Sequence, residues 1–211
     1  MGMGKWVGRI GVVGMLGLMA PGCVSSSSDA QRQAVEQKRT YLLEAGLPAA
    51  TVAQARFGAV KVRAFRALPP FNAASLVVKR ANGETVLDFY NAWIAPPHDL
   101  ARVQVTRYLE RTGLFSAVHD TTSGTTVPLG LDGTVCEIFL DCRGERPEAV
   151  VTLRLALLDE RSPDFTVLCA VEHTARADYD PTREGGIAHA FNSALTQALD
   201  ALAQELAKRD L

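Results

Sequence analysis

The chain has 211 residues, 47% of them hydrophobic and 21% charged, with a formal net charge of −1. That composition fits one globular domain of ordinary size, or two very small ones, and excludes a disordered chain or a multi-span membrane protein. It holds no basic excess pointing to nucleic acid and no acidic block acting as a solvating tail.

The first elements stand apart from the rest. Lys5 and Arg9 form a short basic region, and Ile10 to Ala20 carries no charge. This is the length of a signal-peptide apolar region and short of the roughly 20 apolar residues that span a bilayer. Gly8, Gly11, Gly14 and Gly17 argue against the alternative, a buried N-terminal helix. Residues 1–22 are therefore read as a signal peptide and set aside from fold reasoning.

Ala20-Pro21-Gly22-Cys23 resembles the lipobox of bacterial lipoproteins, with Pro21 in place of the commoner small residue. The resemblance implies that Cys23 takes a diacylglyceryl group, that the leader is cut before it, and that the new amine is acylated too. Acyl chains bury with about 0.8 kcal/mol per CH₂, so two or three hold a protein on a membrane almost permanently. The alternative is a soluble secreted protein with a stray thiol. Val24 stands where lipoproteins kept at the inner membrane usually carry Asp, so the outer membrane, facing the periplasm, is the expected location. Ser25 to Ser28 form a flexible tether. From Asp29 to Glu44 the residues are helix-compatible, with Asp29 as a cap and Gly46 as a stop. Residues 23–57 are thus expected to be a lipidated tether and N-terminal helix, and residues 58–211 the folded domain.

In the body, "GAVKVRAF" (58–65) alternates apolar and charged residues and reads as a strand. Two strand-like runs, near 74–80 and 85–90, flank Asn82-Gly83, a strong hairpin signal. Pro96 and Pro97 suit a helix entrance, and Gly113 ends about four helical turns. A short strand, Phe115 to Val118, follows, and residues 120–128 form a polar loop. Three strands in series, 132–142, 148–159 and 164–177, joined by hairpin-length connectors, predict an antiparallel meander. Ile187, Phe191, Ala194, Leu195, Ala198, Leu199, Leu202 and Leu206 define a C-terminal amphipathic helix of about 22 residues. The predicted class is α+β, an antiparallel or mixed sheet with two main helices on one face.

Cys136, Cys142 and Cys169 have no zinc-ligand spacing. Six residues of strand between Cys136 and Cys142 span about 20 Å, too far for a disulfide. Buried thiols are expected, with a bridge from one of the two to Cys169 left open. The chain has no G-x-S-x-G elbow and no phosphate-binding loop of the G-x-x-x-x-G-K-[ST] type. His98, His119, His173 and His189 have no acidic or histidine neighbour at metal-ligand spacing. No catalytic residue, metal or cofactor is expected, and the chain is read as a non-enzyme.

The segment "DFYNAWIAPPHDLARVQVTRYLERTGLFSAV" (88–118) resembles the central part of the ABC-type transport auxiliary lipoproteins, which include the PqiC-type intermembrane transport lipoproteins. The matching positions are Tyr41-Leu42-Leu43, Val60 and Val62, Tyr90 and Trp93, Pro96, and then Gly113, Phe115 and Val118. Ala92 stands where that family more often has Arg. The resemblance implies a fold like the N-terminal domain of TolB. It also implies a role as the outer-membrane auxiliary component of an MCE-type lipid transport system, docking a periplasm-spanning MCE protein served by an inner-membrane permease and ATPase. A homo-oligomer is implied as well. The competing reading is an outer-membrane lipoprotein that activates a peptidoglycan synthase; the short tether argues against it. Tyr90 and Trp93 admit two roles: an exposed aromatic contact for a partner or lipid, or packing between the hairpin and the helix that follows.

Overall fold

The computed structural model of the chain describes residues 38–161, 164 and 166–209. The signal peptide, Cys23, the serine tether and most of the expected N-terminal helix lie outside the described residues.

The longest element organises the rest. β7 (Leu129–Cys142) pairs antiparallel along its length with β8 (Glu148–Asp159), which pairs in turn with β9 (Thr166–Asp178). This is the meander expected from the sequence. The other edge of β7 is divided among three short parallel strands. β2 (Val60–Val62) lies beside Leu129–Leu131, β3 (Arg66–Ala67) beside Thr134 and Val135, and β4 (Ser75–Arg80) beside Leu140–Cys142. β4 turns through Asn82-Gly83 into β5 (Thr85–Trp93) as an antiparallel hairpin. There Gly83 has a positive φ, and the Asn82 side chain accepts a hydrogen bond from the Glu84 N–H at 3.1 Å. β6 (Val118–His119) pairs with β2, and just before it Phe115 bridges to Phe57. Among the described residues the strands form one mixed, nine-stranded sheet.

Two helices cover the sheet. α1 (Pro97–Thr112) packs on β7, α2 (Gly186–Ala207) on β8 and β9, and the helices touch each other. Their apolar stripes supply Val105, Tyr108 and Leu109 from α1, and Phe191, Leu195, Leu199 and Leu202 from α2, all buried. Each such side chain contributes roughly 1.5–3 kcal/mol of transfer free energy. The α+β class and the two-helix architecture are therefore those anticipated.

α1 ends at Gly113, whose φ of 70° lies in the left-handed region. A Cβ at this position would sit 2.6 Å from the carbonyl oxygen of Val52. Gly113→Ala is expected to cost about 1–3 kcal/mol, read as a lower urea midpoint with an unchanged m-value.

The N-terminal part of the body departs from expectation. Arg39–Tyr41, placed by sequence in a helix, is a strand, β1, parallel to β5 with Arg39 opposite Asn91 and Tyr41 opposite Trp93. The backbone of β5 offers ladder partners here, and that tertiary pairing overrides a weak local helix preference. Leu43 is buried in the core. Beyond it, the N–H groups of Glu44, Ala45, Gly46 and Ala49 donate to Asn192, Gln104, Thr196 and Asp200 at 2.8–3.0 Å. Side chains of the two helices thus satisfy the backbone of an irregular segment. Residues 39–57 belong to the folded body, which starts well before residue 58.

Asp200 also accepts a hydrogen bond from the buried Tyr108 hydroxyl, joining α1, α2 and this segment. Burial first, and then the hydrogen bond to Asp200, pushes the Tyr108 phenol well above its ordinary pKa.

Cys136 and Cys142 both lie on β7, and Cys169 lies on β9, beyond the intervening β8. All three are free thiols, the first buried and the others half-buried.

At the end of β7, Asp141 accepts hydrogen bonds from Arg143 Nε at 2.8 Å and Arg143 Nη2 at 2.7 Å, with Arg176 Nη1 at 3.4 Å. The Arg143 hydrogen bonds hold the Asp141 carboxyl far below the usual carboxylate range. A group with a depressed folded-state pKa stabilises the fold above its unfolded value, near 3.9, and loses that contribution as pH falls toward the folded value. Asp141→Asn is expected to cost about 1–2 kcal/mol at pH 7, the half-exposed Arg143 screening the rest. The gap between variant and parent in urea denaturation should narrow below about pH 4.

Candidate functional site: the aromatic edge at the chain entry

The strands β1 and β5 gather most of the exposed apolar surface. Nine large apolar side chains are exposed among the described residues, and five of them lie here: Leu42, Leu87, Phe89, Tyr90 and Ile94. Exposed apolar residues scattered singly are ordinary, whereas a cluster marks an interaction surface.

A local irregularity projects two of them, Phe89 and Tyr90. The β4–β5 register shifts between Ser75, opposite Ala92, and Val77, opposite Leu87. The extra β5 residues bulge outward, as such irregularities re-aim side chains at sheet edges. Asp88 holds the bulge: its carboxylate accepts from the N–H of Tyr90 at 2.8 Å, the N–H of Asn91 at 3.0 Å and Asn91 Nδ2 at 2.8 Å. Asn91 Oδ1 accepts in turn from the Tyr41 hydroxyl at 2.8 Å. A hydrogen-bonded chain therefore runs from β1 through Asn91 to Asp88. The projecting rings of Phe89 and Tyr90, 78% and 43% exposed, meet edge to face at 5.2 Å.

The residues singled out from the sequence divide sharply. Tyr90 is 43% exposed at the bulge. Trp93 is 2% exposed, and its ring meets Phe191 of α2 edge-on at 4.9 Å, so it is buried against the C-terminal helix rather than the helix that follows it. Pro96 precedes α1, its carbonyl accepting from the Asp99 and Leu100 N–H groups at 3.0 and 3.3 Å. Gly113 is the left-handed cap of α1, and buried Phe115 lies 5.4 Å from the ring of Phe57. Cys23 lies outside the described residues. The sequence reading missed Phe89, although Asp88 followed three residues later by Asn91 is a local signature of side chains hydrogen-bonding a turn.

Among the described residues, no three His, Cys, Asp or Glu side chains are grouped to hold a metal ion. His98 Nε2 lies 3.8 Å from Asp99 Oδ2, a surface contact at the start of α1. His119, His173 and His189 sit on β6, β9 and α2.

These features define an α+β protein with a mixed sheet, two helices on one face, and an aromatic edge where the chain enters the body. No protein-family model matches the sequence, and no curated protein matches it. Solved structures do share the fold. Protein XCC0632 from Xanthomonas campestris, described under the family model DUF330, superposes with a TM-score of 0.66 at 20% identity, covering 81% of this chain and 100% of that one. A second crystal structure, of an uncharacterized protein, gives 0.57 at 13% identity over 81% and 99%.

Proposed function

We propose that this chain is a PqiC-type lipoprotein. It is anchored through Cys23 to the outer membrane and faces the periplasm as the auxiliary component of an MCE/ABC-type lipid transport system. Its partner is a periplasm-spanning MCE protein served by an inner-membrane permease and ATPase, and it works by binding and assembly, as a homo-oligomer. The observation that carries the reading is a lipobox, Ala20 to Cys23, a short distance upstream of a body that bears the Tyr90/Trp93, Pro96 and Gly113/Phe115 block. The fold shared with the DUF330 structure supports the same class of body.

The reach of the anchor favours this role over activation of a peptidoglycan synthase. With the fold under way at Arg39, about 15 residues separate Cys23 from the body, at most about 50 Å of extended chain. A subunit that waits at the membrane for the tip of a bridge needs no more, whereas a wall-crossing activator needs a long linker. Affinity purification of the full chain from crosslinked cells is expected to recover an MCE protein, its permease and its ATPase. Recovery of a cell-wall synthase in their place would reverse the assignment.

A further inference from the structure

We propose that the Phe89–Tyr90 bulge is a membrane-contacting edge, its rings seated in the headgroup region of the phospholipid surface to which Cys23 is anchored. This rests on the proposed acylation of Cys23.

The first argument is where the chain enters. Arg39 lies opposite Asn91, so the entry point is one strand spacing, about 4.8 Å, from the residue next to Tyr90. The 15 residues between Cys23 and Arg39 reach at most about 50 Å when fully extended. An acylated Cys23 therefore holds the point where the chain enters this edge within that reach of the bilayer.

The second argument is chemical. Tyr rings are enriched at the headgroup level of membranes, and Phe and Leu side chains form the apolar face of segments that lie in that boundary. Leu87, two residues before Phe89, is exposed as well. Lys38 and Arg39 are exposed at the same edge and supply positive charge for lipid phosphates. Asp88, the acidic residue inside the bulge, is occupied by three hydrogen bonds.

The third argument is rigidity. The Tyr41–Asn91–Asp88 chain fixes the bulge from behind, so the rings are displayed before any contact forms and little ordering entropy opposes docking. A single aromatic pair binds a bilayer weakly; on a tethered body the effective concentration makes a weak contact count. The contact sets the orientation of the body, and the acyl chains hold it.

The test uses the full lipidated chain, purified in detergent and returned to phosphatidylethanolamine/phosphatidylglycerol vesicles with and without bromine-labelled phospholipid. Phe89→Trp places an indole at the bulge, and Trp93, buried, serves as an internal background. Val167→Trp is the control: Val167 is exposed at the far end of β9, about 35 Å along the strand from Asp178. Intact mass on the same sample reads acylation of Cys23. The expected result is a blue shift and about a twofold loss of emission with brominated lipid for Phe89→Trp, and no loss for Val167→Trp. Acylated protein with an unquenched Phe89→Trp signal overturns the membrane contact and leaves the proposed function standing. A blue shift without quenching assigns the edge to a second copy or another protein and also overturns it. A bare Cys23 overturns both.

Discussion

Truncating Trp93 to alanine is expected to remove about 3–5 kcal/mol of folding free energy, the largest loss of any single side-chain deletion outlined here. Trp93 is among the largest fully buried side chains, and it sits where β5, β1 and α2 converge. Its backbone N–H donates to the Ala74 carbonyl at 2.7 Å, and its ring meets Phe191 at an interplanar angle of 85°. Against a typical stability of about 5–15 kcal/mol, such a loss is a large part of the total. The indole nitrogen has no hydrogen-bond partner among the described residues. Trp93→Phe therefore breaks no hydrogen bond, and its cost, about 1–2 kcal/mol, comes from the smaller ring alone. Urea denaturation of the two variants reads how the loss scales with the ring volume removed. An alanine variant within 1 kcal/mol of the parent would contradict the placement of Trp93 in the core.

Replacing Cys23 by alanine should move the protein from the membrane fraction to the soluble periplasm. One acyl chain binds a bilayer reversibly, with a constant of about 10⁴ M⁻¹, and two or three make the attachment effectively permanent. The proposed contact of the aromatic bulge is small and orients a body that is already attached. Fractionation by ultracentrifugation checks this directly. Membrane association unchanged by the substitution would mean that something other than an acylated cysteine holds the chain there.

The parts of the fold legible in the sequence are those set by local chemistry. Asn82-Gly83 marks the hairpin, Pro96-Pro97 and Gly113 bracket α1, and the spacing from Ile187 to Leu206 matches α2 closely. The illegible parts are set by contacts distant in sequence. β1 is three residues long, and it is a strand because Asn91 to Trp93 lies beside it, some fifty positions away. Asn192, Thr196 and Asp200 read as the solvated stripe of an amphipathic helix. They instead accept hydrogen bonds from the backbone of residues 44–49, and no periodicity reveals such a role. The sharing of one β7 edge among β2, β3 and β4 is likewise invisible to strand prediction, because it depends on how short connections route the chain.

The candidate site shows the same division. Tyr90 and Trp93 were read as one motif, yet the bulge at Asp88 separates them, turning Tyr90 outward with Phe89 while Trp93 returns to the core. A three-residue spacing in an interrupted strand does not fix a common face, since one extra residue inverts the alternation.

The proposed anchor is the chemistry of one sulfur atom, and intact mass spectrometry of the full chain recovered from cell envelopes reads it. The predicted species begins at Cys23, lacks residues 1–22, and carries the added mass of a diacylglyceryl group with a further acyl chain on the amine. A polypeptide that retains its leader, or that begins elsewhere with an unmodified thiol at position 23, would contradict the anchor and with it the assignment.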